Sequence, residues 1–440
     1  MKETIFRERD IRGSYPDEIN EEVFKKIGNA FAQLSEKDII VACDARNESI
    51  SLMNAFANGA LEAEKTVMNI GTVPQACAIN WTAVQQMELA YITGSHLPKG
   101  RNGVKFFHHN GKIYNKEDVE KISGLVKSGK YFSGLKATQV REEIQNVYDI
   151  YKKSITEKVK SDAKKKTKIL IDCGNGVNGL VARDVFTQAG FDVDVIFENP
   201  DGNFPNRGPD PRTDPLDELK KSVGKYEFGI AYDADGDRFF VMSQDGKMLT
   251  TEQIVYVLLS GLNQDGDVVV NVECGRAINS VSEKFGRKII TVKVGQYSME
   301  EAVIKNDAIF GIESSHHSFV PFVSKFSDTI ATSMVFSKAV EDSGKSLKDL
   351  IRDVPVYPAT KKYYDCPDEK KFEVMESLKN KISSRYANVS TIDGIRVDLD
   401  SGFVLIRPSQ TEGIIRMNVE ADDEPTLKRL EEEFSSIVEN

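Results

Sequence analysis

Runs of apolar residues alternate with amphipathic segments along most of the 440-residue chain. A short apolar run such as residues 39–44 (IIVACD) predicts a buried strand, and the longer segments between such runs predict helices. This alternation indicates an α/β fold. The run recurs at residues 169–174 (ILIDCG) and 268–275 (VVVNVECG), each time ending in a polar turn. We therefore expect three related α/β domains, although any α/β protein has several strand ends of this kind.

Other segments complete the predicted organisation. Residues 142–166 predict a charged helix that leads into the second domain. Residues 199–214 (NPDGNFPNRGPDPRTD) predict a long ordered loop, because turn-forming residues dominate them. Near the C-terminus, residues 402–407 and 414–420 predict strands, and the acidic residues and proline at 422–425 predict the start of a closing helix. The last part of the chain is therefore expected to form a small α+β domain.

Composition narrows the class of protein. The chain is too long for one hydrophobic core and predicts about three or four domains. A net charge of -10 and the lack of a basic face or tail argue against nucleic-acid binding. Five scattered cysteines without a CxxC pair argue against a zinc site or a disulfide framework. With no run for a membrane helix or a signal peptide, we expect a cytoplasmic protein that does not bind membranes.

An acidic loop is the clearest candidate for metal binding. Asp233, Asp235 and Asp237 stand at alternate positions directly after the apolar residues 228–231. Three such carboxylates can converge on one hard cation, and Gly236 allows the backbone to turn around it. An EF-hand is excluded because its sixth and twelfth positions would lack the required Gly and Glu. The loop therefore predicts a Mg²⁺ site, with Mn²⁺ or an acidic surface turn as alternatives.

A serine in a tight polar loop is the candidate phosphoryl carrier. Residues 93–98 (TGSHLP) place His96 beside Ser95, and Lys105 follows ten residues later. Lys105 could neutralise a transferring phosphoryl group or assist proton transfer. Arg238, which follows the acidic loop, suits the same phosphate. Taken alone, Ser95 would more commonly be a helix N-cap or loop serine.

Three more segments could contact a ligand. Residues 311–318 (GIESSHHS) offer donors and acceptors for sugar hydroxyls, and their two histidines lack the spacing of a zinc site. Residues 407–413 (RPSQTEG) combine a guanidinium, hydroxyls, an amide and loop N–H groups, as a phosphate site requires. Residues 6–13 (FRERDIRG) fit a solvated charge run as well as a site. No Walker or GxGxxG pattern occurs, which argues against a nucleotide-binding fold.

The order and spacing of these motifs resemble the α-D-phosphohexomutase superfamily, which includes phosphomannomutase/phosphoglucomutase. The motifs run from residue 6 to about residue 421 and are FRERDIRG, TGSHLPKGRNGVKFF, PDGNFP, DADGDR, GIESSHHSF and RPSQTEGIIRMNVEA. The resemblance implies an α/β fold of four domains around a central cleft, three related α/β units with mixed sheets and a smaller C-terminal α+β domain. The predicted domains are residues 1–147 with the phosphoserine, 148–246 with the metal loop, 247–358 for sugar recognition and 359–440 for phosphate binding.

The resemblance also implies residue roles. Ser95 would be the phosphoserine, and its phosphate would share Mg²⁺ with Asp233, Asp235 and Asp237. The residues beside the transferring group would be Arg12, His96, Lys105 and Arg238, with Arg12 or Lys105 as general acid/base. The substrate-binding residues would be Glu313, Ser315 and His317 at the sugar hydroxyls, and Arg407, Ser409, Gln410 and Thr411 at the phosphate that does not react.

The activity implied is that of an isomerase. It would interconvert the 1- and 6-phosphates of mannose or glucose through phosphoserine 95 and a sugar 1,6-bisphosphate, which would also serve as activator. Phosphoglucosamine mutase and pentose-phosphate mutase are alternatives within the superfamily, and a non-catalytic sugar-phosphate-binding protein is the alternative from another class. We expect a phosphosugar as the only kind of partner, and a monomer or homodimer.

The chain departs from the superfamily at several positions. Leu97 stands where Asn is usual, Tyr297 where Lys is common, and His316 makes Ser-His-His of the usual Ser-Gly-His. The phosphate loop also differs, at Gln410 and at residues 412–413. Because these positions lie in or near the expected substrate contacts, the sequence predicts the reaction more firmly than the sugar.

Overall fold

Two compact units make up the computed structural model, residues 1–249 with 316–349, and residues 250–315 with 350–440. The structure describes residues 3–7, 9–134, 138–164, 166–409 and 413–439, without the side chains of Glu3 and Arg141. Each unit contains two β-sheets, and helices accompany every sheet.

The first sheet belongs to the first unit and has the strand order β1-β5-β4-β2-β3-β6. Strands β4, β2, β3 and β6 are parallel, while β5 runs antiparallel to both β1 and β4. The strands are β1 Asp10–Ser14, β2 Ile39–Cys43, β3 Val67–Thr72, β4 Glu88–Ile92, β5 Arg101–Phe107 and β6 Gln139–Arg141. The accompanying helices are α1 Glu21–Leu34, α2 Ser49–Glu62, α3 Gln75–Gln85, α4 Lys116–Ser128 and α5 Ile144–Thr156.

Helices α1 and α2 pack unusually closely, and two glycines make this possible. A Cβ on Gly28 would lie 2.0 Å from the carbonyl oxygen of Phe56, and one on Gly59 would lie 1.9 Å from that of Lys25. Helix α1 begins at the N-cap Asn20, whose side chain accepts a hydrogen bond from the Val23 N–H. The inner faces of both helices join the buried core of this sheet.

The second sheet, also in the first unit, carries the acidic loop. Its order is β10-β9-β7-β8, with parallel β7, β8 and β9 and antiparallel β10. Its elements are β7 Lys168–Asp172, α6 Ala182–Gln188, β8 Asp192–Ile196, α7 Asp217–Ser222, β9 Phe228–Tyr232 and β10 Phe239–Ser243. Residues 233–238 form the tight connection between β9 and β10, two strands whose residues are all buried.

The second unit begins with three parallel strands in the order β12-β11-β13. Its first elements are α8 Thr251–Gly261, β11 Val268–Asn271, α9 Ala277–Phe285, β12 Ile289–Val292, α10 Gln296–Lys305 and β13 Phe310–Ile312. The chain then returns to the first unit at His316, where it forms β14 Ser318–Phe319 and α11 Thr329–Ser343, followed by the short α12 Leu347–Leu350.

The last sheet lies in the second unit and has five strands in the order β15-β19-β18-β17-β16, all antiparallel to their neighbours. Its elements are β15 Ala359–Asp365, α13 Lys371–Ser383, β16 Val389–Ser390, β17 Ile395–Leu399, β18 Gly402–Pro408, β19 Ile414–Ala421 and α14 Glu424–Glu439. Alternate residues of β18 and β19 form a core with α13 and α14. At the start of α14, the Asp423 side chain accepts a hydrogen bond from the Thr426 N–H.

The predicted elements are largely confirmed. The three repeated runs form β2, β7 and β11, and residues 199–214 contain neither helix nor strand. The predicted helix at 142–166 is too long, because α5 ends at Thr156 after its last buried residue, Ile155. The predicted domain boundaries stay predictions; the first of them falls within α5.

Candidate active site

Ser95 lies in the buried loop between β4 and β5. Its φ of +48° is in the left-handed region, which residues other than glycine seldom adopt. Its N–H donates to Thr93 Oγ1 at 2.7 Å, and its Oγ lies 3.3 Å from His96 Nδ1. Strain of about 1–3 kcal/mol at such a residue persists only where the surroundings enforce it, and it concentrates at functional sites.

The three aspartates of the acidic loop are fully enclosed, and each uses only one oxygen for a hydrogen bond. Asp233 Oδ1 accepts from the Arg238 N–H, Asp235 Oδ2 from Thr93 Oγ1, and Asp237 Oδ2 from Lys105. The second oxygen of each is buried and has no hydrogen-bond partner among the described residues. A buried polar atom without a partner is costly, so three in one loop indicate a missing ligand.

The donor set fits Mg²⁺. One oxygen from each of the three aspartates lies within 4.8 Å of the other two. Hard divalent cations prefer carboxylate oxygens, and Mg²⁺ commonly completes its shell with water or phosphate oxygens. Ser95 belongs to the same neighbourhood, since Thr93 Oγ1 donates to Asp235 Oδ2 at 3.0 Å and also accepts the Ser95 N–H.

Lysine, histidine and arginine side chains surround these carboxylates. Lys105 Nζ lies 2.8 Å from Asp235 Oδ2 and 2.5 Å from Asp237 Oδ2. His317 Nε2 lies 3.1 Å from the same oxygen of Asp237, and Arg238 Nε lies 3.3 Å from His317 Nε2. The Nη1 of Arg238 is buried and has no hydrogen-bond partner among the described residues. Lys105 and Arg238 provide positive charge where a phosphate would meet the acidic loop.

Arg12 approaches the Ser95 loop from the neighbouring strand. Strand β1 pairs with β5, which places Arg12 opposite Gly103. Its Nη1 donates to the carbonyl oxygen of Gly94 at 3.2 Å, and its Nε lies 2.5 Å from Asp10 Oδ2. Arg12 is therefore a second guanidinium next to the Ser95 loop.

Burial and neighbouring charges shift the ionisation of this centre. Burial and the repulsion from Asp237 and Asp235 raise the pKa of Asp233 well above its usual range. Burial alone would raise the pKa of Asp237, but Lys105 and His317 reverse this effect and lower it well below its usual range. Burial and three nearby arginines lower the pKa of His96 well below 6.5, so its ring is neutral at pH 7.

The ionisation of the lysine follows from its two carboxylate partners. Burial favours the neutral amine of Lys105, but Asp235 and Asp237 outweigh it and raise the pKa of the lysine. In the same way, Asp10 outweighs burial and raises the pKa of Arg12. Both side chains are therefore positively charged at neutral pH.

The second unit contains the predicted phosphate arginine. Arg407 is buried, and its Nη1 lies 2.9 Å from Glu273 Oε1 while its Nη2 lies 3.3 Å from Asp393 Oδ2. Lys371 Nζ donates to the carbonyl oxygen of Ser409 nearby. The two carboxylates occupy positions that oxygens of an anionic ligand would take around this guanidinium. Gln410 and Thr411, also predicted here, lie outside the described residues.

The predicted sugar-binding residues are divided between the units. Glu313 Oε1 accepts from the Gly295 N–H at 2.5 Å and from Asn271 Nδ2 at 3.2 Å, and Ser315 Oγ lies 3.4 Å from Glu313 Oε2. All four residues belong to the second unit, whereas His317 belongs to the first and contacts the acidic loop there. The structure thus brings Ser95, the aspartates and the cations together, and groups Glu313 separately with Ser315.

Several residues that hold the site in place were not predicted from the sequence. Asp44 and Arg46 fix the Ser95 loop, and Arg207 contacts the strand end that precedes the acidic loop. Glu273 pairs with Arg407. Asp44, Arg46 and Glu273 gave a signal in the sequence, as charged residues at the end of a buried strand run, whereas Arg207 gave none.

Models of four consecutive domains match the chain. They are phosphoglucomutase/phosphomannomutase alpha/beta/alpha domain I over residues 3–132, domain II over 149–246, domain III over 250–357, and the C-terminal domain over 363–437. The chain belongs to the phosphoglucomutase/phosphomannomutase family. It therefore has the four domains of an α-D-phosphohexomutase, three α/β units and a C-terminal domain with an antiparallel sheet, and it is an isomerase of the mutase class.

Similar family members carry different substrate names. A phosphopentomutase from Thermococcus kodakarensis is 30% identical over 98% of this chain and 96% of its own. A phosphomannomutase/phosphoglucomutase from Pseudomonas putida is 29% identical over 99% and 95%, respectively. A probable phosphoglucosamine mutase from Methanopyrus kandleri is 28% identical over 97% and 96%. Identity to the three is nearly equal, so it does not select a sugar.

Solved structures of the family share the fold. A phosphoglucomutase/phosphomannomutase family protein from Burkholderia thailandensis has a TM-score of 0.86 and 24% identity, covering 100% of this chain and 97% of its own. An Aspergillus fumigatus N-acetylphosphoglucosamine mutase, solved with GlcNAc-6P and magnesium, has a TM-score of 0.58 and 13% identity over 92% and 83%. Among the described residues, no helix is long and apolar enough to cross a membrane.

Proposed function

We propose that this family member is a phosphohexomutase that interconverts the 1- and 6-phosphates of mannose or glucose, with Ser95 as the phosphoryl carrier. The observation that carries the proposal is the pairing of Ser95, held in a strained buried loop, with three clustered aspartates. Each aspartate has one buried oxygen without a hydrogen-bond partner among the described residues. The serine supplies the oxygen that carries phosphate, and the aspartates supply ligands for the metal that phosphate transfer needs.

The proposed reaction consists of two phosphoryl transfers. In the first, the bond between Ser95 Oγ and phosphorus breaks as phosphorus bonds to the free hydroxyl oxygen of the sugar monophosphate. The hydroxyl proton passes to Ser95 Oγ, and a sugar 1,6-bisphosphate results. The bisphosphate then turns over, and its other phosphate returns to Ser95 by the reverse steps. Added bisphosphate would activate the enzyme by phosphorylating Ser95.

The cations contribute charge and position. The unpartnered Nη1 of Arg238 and the ammonium of Lys105 favour a phosphoryl group that carries negative charge in transit. Mg²⁺ held by the three aspartates would neutralise charge on the phosphoryl oxygens. Arg12 and Lys105 remain the candidates for general acid/base. His96 would lie beside the transferring phosphoryl group, next to Ser95 Oγ.

The remaining predicted residues would bind the substrate. Arg407, with Ser409, Gln410 and Thr411, would hold the phosphate that does not react, and Glu313, Ser315 and His317 would contact the sugar. Because Glu273 and Asp393 already pair with Arg407, an incoming phosphate would have to replace at least part of these contacts. The binding site would thus be selective for doubly charged anions such as phosphate monoesters.

Phosphoglucosamine mutase is the second candidate, since several archaeal relatives of similar identity carry that name. A panel of the 1-phosphates of mannose, glucose, glucosamine and ribose, each with Mg²⁺ and a catalytic amount of sugar bisphosphate, tests both. We expect the highest kcat/KM with mannose or glucose 1-phosphate. Turnover of glucosamine phosphate alone would select the second candidate, and turnover of ribose phosphate alone would refute hexose use.

A pair of serine variants tests the carrier. Ser95→Ala should lose turnover with every sugar, whereas Ser51→Ala, a change on the exposed surface of α2, should keep it. A Ser95→Ala protein that turns over at the wild-type rate would refute Ser95 as the carrier. A wild-type protein that binds these sugar phosphates without converting them would instead support a non-catalytic binding protein.

A further inference from the structure

Two buried arginines hold the loops that carry Ser95 and the aspartates, and one segment of chain joins them. We propose that Arg46 and Arg207 are positioning residues for phosphoryl transfer, and that residues 199–214 tie the two together through Phe204. The inference rests on the proposed function of Ser95, but its geometry does not depend on which sugar is used.

Arg46 holds the Ser95 loop by its main chain. Its Nη2 donates to the carbonyl oxygens of Ser95 at 2.6 Å and Leu97 at 2.5 Å, and its Nη1 donates to that of Pro98 at 3.2 Å. Three carbonyls on one rigid guanidinium fix the direction of the peptide planes that follow Ser95, as far as Pro98. A lysine has a single nitrogen and cannot reproduce this fork.

Asp44 completes this arrangement from the end of β2. Its carboxylate accepts hydrogen bonds from Arg46 Nε at 3.2 Å and the Gly94 N–H at 3.2 Å, and its Oδ2 lies 2.8 Å from Thr93 Oγ1. Asp44 and Arg46 are both almost completely buried. A Cβ on Gly94 would lie 2.5 Å from Arg46 Nε, so glycine is required where the guanidinium passes the loop. Enclosed and paired in this way, Arg46 can support the left-handed conformation of Ser95.

Arg207 makes similar contacts, to one aspartate and two main-chain carbonyls, at the strand ends next to the acidic loop. Its Nε donates to Asp172 Oδ1 at 3.0 Å, and its Nη2 donates to the carbonyl oxygens of Asp172 at 3.3 Å and Tyr232 at 2.6 Å. Tyr232 directly precedes the first aspartate of the acidic loop. Asp44 directly follows β2, and Asp172 is the last residue of β7, the corresponding strand of the second sheet. At both sheets, an aspartate–arginine pair thus binds main-chain carbonyls, those of the Ser95 loop in one case and those of Asp172 and Tyr232 in the other.

Residues 199–214 link the two pairs. The Phe204 ring lies 5.3 Å from the Arg46 guanidinium carbon, three positions before Arg207 in the same segment. A Cβ on Gly202 would lie 2.5 Å from the Asn47 nitrogen, which shows how closely the segment approaches the residues next to Arg46. Farther along, the carbonyl oxygen of Pro209 accepts the N–H of Ala234, inside the acidic loop. The segment thus sets the separation between the serine and the metal ligands.

Neither arginine is expected to touch the reacting atoms, so the test must separate positioning from folding. A misplacement of about 1 Å can cost about 100-fold in rate. We expect Arg46→Lys to lower kcat about 100-fold and Phe204→Leu about 10-fold, with KM for the sugar phosphate changed less than twofold and thermal melting above the assay temperature. Arg183→Lys is the matched control, because Arg183 also pairs with a carboxylate and donates to one carbonyl but is half-exposed.

Hydrogen exchange gives a readout that does not need turnover. In Arg46→Lys and Phe204→Leu, the amides of residues 93–97 should exchange at least tenfold faster than in the wild type. In Arg183→Lys, the same amides should exchange at the wild-type rate. Wild-type kcat and wild-type exchange in both site variants would overturn the proposal, as would an equal loss in the control. If the wild type transfers no phosphate, the proposed function fails, while faster exchange in the two variants would still support the role of Arg46 in holding the loop. If Arg46→Lys does not fold, Phe204→Leu alone decides.

Discussion

His316 should make the first unit less stable in mild acid, because its ring is buried without a negative partner. The Nδ1–H of the side chain donates to the carbonyl oxygen of Phe239, 3.0 Å away, and the ring packs on that of Phe240 with 4.6 Å between centroids. A carbonyl only accepts, so Nδ1 carries the proton in this contact. Burial lowers the pKa of His316 to about 4 from the usual 6.5, and the nearby Arg212 and Arg238 add to the effect.

The size of the effect follows from this pKa. Between pH 6.5 and about 4, the unfolded chain binds a proton at this position and the folded chain does not, so stability falls as the pH falls. The full difference corresponds to about 3 kcal/mol, of which about 2 kcal/mol is lost by pH 5. The variant His316→Asn removes the titration, and asparagine tolerates the left-handed φ of +67° at this position.

The assay is urea unfolding at pH 8 and pH 5, followed by the fluorescence of Trp81. Trp81 is the only tryptophan in the chain and is buried in the first unit with His316. The wild type should lose about 2 kcal/mol more than His316→Asn between the two pH values. His109→Asn is the control for loss of a histidine elsewhere and should follow the wild type. Equal losses in the wild type and His316→Asn would refute the reasoning.

Two further predictions concern packing and a buried hydrogen bond. Gly28→Ala should destabilise the first unit by at least about 2 kcal/mol, because its Cβ would meet the carbonyl oxygen of Phe56; Gly124→Ala, in the open part of α4, should stabilise it by about 0.5–1 kcal/mol. The free energy of unfolding in urea is the measurement, and equal changes in Gly28→Ala and Gly124→Ala would contradict the packing argument. Tyr151→Phe should cost about 1–3 kcal/mol at pH 7.5, because the hydroxyl donates to Asp328, whose pKa burial raises to about 6. The cost should shrink below pH 6, where Asp328 becomes neutral; a cost that does not depend on pH would contradict this.

The strands and the acidic loop could be predicted because their signals are local. A buried run such as residues 39–43 and the alternation of carboxylates from Asp233 to Asp237 can each be recognised within a few residues. The predicted end of α5, at residue 166, was wrong because a local pattern does not show where packing against the protein stops. Charged residues beyond Thr156 can continue a helical pattern on paper, but Val159 is the one buried apolar residue among residues 157–164, and a single residue makes no helical face against the protein.

The contacts that position the site could not be predicted, because they join residues far apart in the chain. Arg46 meets the carbonyl of Ser95 across 49 positions, and Arg407 meets Glu273 across 134. Their partners are main-chain carbonyls or single carboxylates, which leave no pattern in a sequence. The substitution of His316 for the usual glycine was noticed, but only the structure shows that the position is left-handed and that the ring fills a buried space.

The central claim is that Ser95 carries the phosphoryl group, and direct mapping of a transferred label tests it best. The protein is incubated with a sugar bisphosphate carrying labelled phosphate, digested, and its peptides are sequenced by mass spectrometry. We predict one labelled phosphate, on Ser95, which moves to the sugar when excess unlabelled hexose 1-phosphate is added. A label on another residue, or a label on Ser95 that the sugar cannot remove, would contradict the account.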